Sequence, residues 1–98
     1  MRTALVVLAS LTVVFLLRAA PGVTFEDAGE LVAAAGSWGV PHPPGYPLLT
    51  MVGGVFVEVG GWFGLTPARA MVLVSVLSAA GAAALLARFI ELVRPAAE

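Results

Sequence analysis

Apolar residues fill both ends of this chain and thin out in the stretch between them. From Thr3 to Leu17 there is no charged residue, and the run is flanked by Arg2 and Arg18. Those 15 residues would make about 22 Å of helix, short of the ~30 Å hydrocarbon layer. Arg18 can snorkel, so the pattern predicts a membrane helix over 3–20 that ends at Pro21-Gly22. A cleaved signal peptide is the competing expectation. It would place Arg18 and Pro21 at positions that disfavour cleavage after Ala20, so an uncleaved anchor is the better reading.

Next comes a period near 3.6. Phe25, Ala28, Leu31, Val32 and Ala35 share one helix face, and Glu26, Asp27 and Glu30 share the other, which predicts an amphipathic helix over 25–35 lying in the membrane interface. Thr24 with Asp27 reads as a capping box opening that helix. Gly36 and Gly39 end it. Val40 to Pro47, VPHPPGYP, is stiffened by its prolines into an extended, turn-containing segment.

Leu48 to Phe63 is apolar but spans only 16 residues and includes Glu58 and four glycines, which predicts an interfacial or short membrane helix. Gly64 to Pro67 is a turn, with Thr66 capping the next helix and Pro67 at its first position. The segment 68–93 is the best transmembrane candidate. Met71 to Ala87 is uncharged, and Ser75, Ala79 and Ala83, with Ser78 and Ala82, recur every four residues, a spacing that lets helices approach closely in lipid.

Composition supports lipid as the solvent. The chain has 98 residues, is 60% hydrophobic and only 11% charged, against roughly a quarter charged in soluble domains. A domain this small cannot hide so much apolar surface from water. The net charge of −1 leaves no electrostatic footprint for nucleic acid. There is no cysteine, so disulfides and thiolate metal sites are excluded.

Arg2 at one end and Arg88 with Arg94 at the other favour cytoplasmic termini and an even number of spans. The expected architecture is therefore an all-α membrane protein. Two transmembrane helices are joined by an extracytoplasmic loop, 21–67, that carries interfacial helices. Three spans is the alternative.

The stretch from Thr24 to Pro47 holds three of the six acidic residues, four of the seven prolines, the single histidine and the single tyrosine. Carboxylates kept at a membrane edge read as functional by default. On physical grounds alone, Asp27 is either a capping residue or a working carboxylate. Glu26 and Glu30 on their own read as a solvated helix face, and Glu58 has no assigned role.

The motif Asp27-Ala28-Gly29-Glu30, a small-residue run, then Gly39-Val40-Pro41-His42-Pro43-Pro44-Gly45-Tyr46-Pro47 and a helix opening with Arg69 resembles the N-terminal region of the polytopic membrane O-mannosyltransferase-like family, within the glycosyltransferase C superfamily. The likeness covers roughly residues 20–85. It implies an enzyme that takes a sugar from a polyprenyl phosphate, with its first extracytoplasmic loop bearing an acidic residue and helices along the membrane. Such enzymes have further spans, so the chain is expected to be an N-terminal fragment, inactive alone, whose partners are the bilayer, the lipid-linked sugar and additional transmembrane helices. The expected location is a bacterial inner (plasma) membrane.

Transfer to a hydroxyl needs a base for its proton and stabilisation of the departing phosphate. By resemblance Asp27 is the expected base, and Glu30, three residues on, a second catalytic carboxylate that holds the acceptor, tunes Asp27 by like-charge proximity or helps bind a metal. His42, Tyr46 and Arg69 are the expected substrate-binding residues. His42 either meets phosphate or assists proton movement, or bonds a backbone carbonyl and fixes the loop; Arg69 either meets a lipid phosphate or simply snorkels. Tyr46 and Trp38 could stack on sugar, though interfacial anchoring is the plainer reading. No standard ligand spacing supports a metal site, and a divalent ion enters only through the superfamily. The alternative function is a non-catalytic membrane subunit or assembly protein.

Overall fold

The structure, a computed structural model, describes residues 1–24 and 26–95. The described residues are all helical or loop, in four helices: α1 (Arg2–Arg18), α2 (Ala28–Gly36), α3 (Pro47–Trp62) and α4 (Pro67–Val93). They fall into two compact units.

The first unit contains α1 and α4 from Val76 onward. Its buried residues are Ala4 on α1 and Val76, Ala80 and Ala84 on α4. These last three repeat every four residues, so a ridge of small side chains does line the packed face of α4. The small residues singled out in the sequence lie beside it: Ser75, Ser78, Ala79 and Ala82 are exposed and Ala83 is half-buried. Every residue of α4 from Val76 to Ala87 is small or apolar, so composition could not choose between adjacent faces. The Met1 ammonium pairs with Glu91 Oε2 at 2.6 Å, and Arg88 reaches the same oxygen at 3.2 Å. α4 is the one helix among the described residues long and apolar enough to cross a membrane, with 27 residues. α1, at 17 residues, makes about 26 Å of helix.

The second unit runs from Ala19 to Ser75 and holds α2, α3 and the opening of α4. Thr66 caps α4 as expected, its Oγ1 accepting the Arg69 N–H at 3.3 Å, with Pro67 as the first helical residue. The entry to α2 differs from expectation. The helix begins at Ala28, not at 25; Asp27 occupies the N-cap position and makes no side-chain capping bond. Glu26 explains the shift: its φ of +64° is left-handed and cannot belong to a right-handed helix. Of the predicted apolar face, Ala28, Leu31 and Val32 line a cleft of about 250 Å³ and Ala35 is fully buried. Phe25 lies outside the described residues.

α2 ends in a Schellman motif. The Gly39 N–H donates to the Ala34 carbonyl at 2.8 Å and the Trp38 N–H to Ala35 at 3.4 Å. The left-handed position of that motif, usually glycine, is Trp38, with φ +54°. Its indole is held against α3 at Gly54, where an added Cβ would stand 2.9 Å from Cζ3.

α3 reverses the usual distribution of side chains. Its buried positions are Thr50, Gly53, Gly54 and Gly60. A side chain at Gly53 would collide with the Met71 sulfur and crowd Ala35, so α2, α3 and α4 meet over a glycine. The buried Thr50 hydroxyl is satisfied by the carbonyls of Tyr46 and Pro47. The opposite face exposes Leu48, Met51, Val52, Val55, Val59 and Trp62, an unbroken apolar stripe about 21 Å long at helical rise.

Candidate functional site

The site is built by α2 and by the segment that leaves it. Asp27 and Glu30 are one helical turn apart on the polar side of α2, and both are exposed. Beyond the Schellman turn, the chain comes back along α2. Pro41 is buried, and a tight turn follows in which the Gly45 N–H donates to the His42 carbonyl at 2.9 Å. Gly45 takes φ +88° there, a conformation that glycine adopts without steric cost. Tyr46, also left-handed at φ +42°, is the N-cap of α3, and Pro47 is that helix's first residue.

This path lays His42 on Glu30. Oε1 of Glu30 accepts the His42 backbone N–H at 2.6 Å, and Oε2 lies 2.7 Å from the ring Nδ1. One carboxylate thus uses both oxygens on one residue. An ionised carboxylate can only accept, so Nδ1 carries the proton. The hydrogen bond to His42 holds the Glu30 carboxyl below its ordinary value; the same bond, then the charge of Glu30, raises His42. The ring of Tyr46 meets that of His42 edge-on, with centroids 5.6 Å apart and planes at 78°.

Asp27 completes the group. Its carboxylate lies within 4.8 Å of the ligand atoms of Glu30 and His42, and its charge adds to the elevation of His42. The sequence-predicted residues Asp27, Glu30, His42 and Tyr46 are therefore assembled at one place. Arg69 is exposed on the first turn of α4, and no hydrogen bond or ion pair joins it to them among the described residues. Sequence reasoning did not foresee the Glu30–His42 pairing, because the partners are 12 residues apart and no periodicity relates them.

Two carboxylates and an imidazole are donors that a divalent cation accepts. Here Nδ1 and Oε2 are already joined through a proton, and a cation would have to replace it. No step of the chemistry below runs through a metal.

Residues 27–97 match the family model described as protein O-mannosyl-transferase TMEM260 N-terminal domain. The protein O-mannosyl-transferase tmem260 of Dictyostelium discoideum is 44% identical over 50 residues, covering 51% of this chain and 6% of that protein. The protein O-mannosyl-transferase TMEM260 of Mus musculus is 39% identical over 59 residues, covering 60% of this chain and 8% of that protein. The chain thus spans less than a tenth of the length of these curated relatives. No solved structure matches it.

Proposed function

Because this chain belongs to the protein O-mannosyl-transferase TMEM260 N-terminal domain family, we propose that it is the N-terminal part of a membrane glycosyltransferase that takes its sugar from a polyprenyl phosphate and delivers it to a hydroxyl. The observation that carries the reading is the gathering of Asp27, Glu30 and His42 within 4.8 Å, with Asp27 free of any capping bond. A carboxylate with no capping bond, set beside a polar cluster, is available to take a proton.

In this reading α1 and α4 are anchors in a plasma membrane and the Ala19–Thr66 segment is extracytoplasmic. The apolar stripe of α3 rests on lipid. The polyprenyl chain runs along the apolar surfaces of the membrane side, the cleft lined by Leu31, Val32 and Met71 among them. Asp27 removes the acceptor's hydroxyl proton, the oxygen bonds to the sugar's anomeric carbon, and the bond from that carbon to the phosphate oxygen breaks. The phosphate leaves with the electron pair. Arg69, on the first turn of α4, is the cation assigned to it. The chain alone is inactive, since further transmembrane helices are needed to enclose both substrates.

Complementation tests the assignment. Co-expressed with the remaining spans of such an enzyme, the wild-type chain supports transfer and Asp27→Asn does not. Equal transfer by the two rejects Asp27 as base. Co-purification with those spans without any transfer supports a non-catalytic subunit instead. The chain has no cysteine, so single cysteines introduced at Ser37 and Thr66 report topology. Labelling from the cytoplasmic side at either position removes the extracytoplasmic placement.

A further inference from the structure

We infer that His42 belongs to the acceptor's side of the site: held by Glu30, it presents its Nε2 to the acceptor hydroxyl and not to the donor phosphate, and Glu30 acts as its positioning residue. The inference rests on the sugar-transfer reading and refines it.

Geometry gives the first argument. Glu30 spends both carboxylate oxygens on His42, one on the backbone N–H and one on Nδ1, at 2.6 and 2.7 Å. It fixes where the residue sits and how its ring is turned. The proton on Nδ1 leaves Nε2 as the ring's remaining nitrogen. Nε2 has no partner among the described residues, and the side chain is 39% exposed. The edge-on Tyr46 ring limits rotation from the other side. A carboxylate that orients an imidazole through one nitrogen so that the other can act is a recurrent arrangement in catalytic and metal sites.

Charge gives the second argument. Asp27 and Glu30 both lie within 4.8 Å of the imidazole, so the cluster carries net negative charge whether or not the ring is protonated. A phosphate brought to Nε2 would meet two carboxylates at close range, and like charges repel. A hydroxyl is neutral. It can donate to Nε2 when the ring is neutral and accept from Nε2–H when the ring is charged, so both protonation states of His42 bind it. Asp27 beside the ring is then placed to take the proton of the hydroxyl that His42 orients.

The single histidine makes the test direct. Imidazole nitrogen chemical shifts are recorded for the full chain in lipid nanodiscs, at a pH where the ring is neutral. The wild type is expected to show the Nδ1–H tautomer. Glu30→Gln is expected to reverse it: the amide oxygen must stay on the backbone N–H, leaving the amide NH₂ facing Nδ1, which then accepts and moves the proton to Nε2. Asp27→Asn leaves the tautomer as in wild type. Titration with N-acetylthreonine amide, a neutral hydroxyl probe, is expected to shift the Nε2 resonance, and inorganic phosphate is not. An unchanged tautomer in Glu30→Gln overturns the inference, as does an Nε2 response to phosphate or no response to the hydroxyl probe. None of these readouts involves sugar transfer, so their failure is separable from failure of the complementation with Asp27→Asn.

Discussion

Trp38 and Gly54 fit each other as side chain and seat. The indole of one closes over the bare backbone of the other, and the left-handed turn at residue 38 is held in place by that contact. Since the turn directs the chain back toward Glu30, the contact supports the site from its far side. An alanine in an open helical position gains about 0.5–1 kcal/mol over glycine. Gly61, with nothing within 4 Å of an added Cβ, should show that gain. Gly54→Ala should instead lose about 1–3 kcal/mol through overpacking. Thermal unfolding in detergent compares the two, and a stabilised Gly54→Ala would contradict the seating of Trp38.

The hold of Glu30 on His42 depends on pH from both directions. His42 is raised, so its contribution is complete below the ordinary imidazole pKa and fades as pH climbs through the elevated one. Glu30 is lowered, so its contribution is complete above the ordinary carboxylate pKa and fades as pH falls through the depressed one. The loop is therefore most firmly attached between the ordinary carboxylate and the ordinary imidazole values, and the attachment fades toward the depressed Glu30 value on one side and the elevated His42 value on the other. Protection of the His42 amide against hydrogen exchange, corrected for the intrinsic rate, should peak inside that window and decline on both sides. In Glu30→Ala the peak should vanish.

Capping separates the two threonines. Thr66 holds the Arg69 N–H, and Thr66→Ala should cost about 0.5–2 kcal/mol. Asp27 has no capping bond, so Asp27→Asn should change stability by no more than about 0.5 kcal/mol, and Thr24→Ala should do likewise. Chemical denaturation in mixed micelles distinguishes these cases. A large loss in Asp27→Asn would return that residue to a structural role.

The outer stripe of α3 should contact lipid. Trp62 is 75% exposed at the end of that stripe, and in a Trp38→Phe background it is the sole indole. Brominated acyl chains should quench its fluorescence, and Val55→Asp, in the middle of the stripe, should reduce that quenching while helix content holds. Quenching equal to that of free tryptophan in buffer would remove α3 from the membrane surface.

Much of this was legible in the residues. The apolar runs, the Thr66-Pro67 start and the stop at Gly36 follow from local rules that act within a turn or two, and α3 and α4 lie within a residue of where hydropathy and capping place them. The start of α2 did not follow, because Thr24, Glu26 and Asp27 are each compatible with a capping box and only the left-handed backbone at Glu26 decides against it. The face of α4 buried within this chain, Val76, Ala80 and Ala84, was not singled out, since alanine and serine give no contrast between neighbouring faces. In the site, the acidic pair came from helix spacing, but its tie to His42 runs across a loop whose path depends on Trp38 finding Gly54. Such a tertiary contact has no period to betray it.

α3 carries its bulk outward and its glycines inward, and this inverts which positions evolution can treat loosely. In a water-soluble helix the large apolar residues are the guarded ones. Here Leu48, Met51, Val55 and Val59 should exchange freely for any greasy neighbour, while Gly53 and Gly54 tolerate almost nothing. A saturation library of this helix should therefore read as a negative of the ordinary hydrophobic-core map.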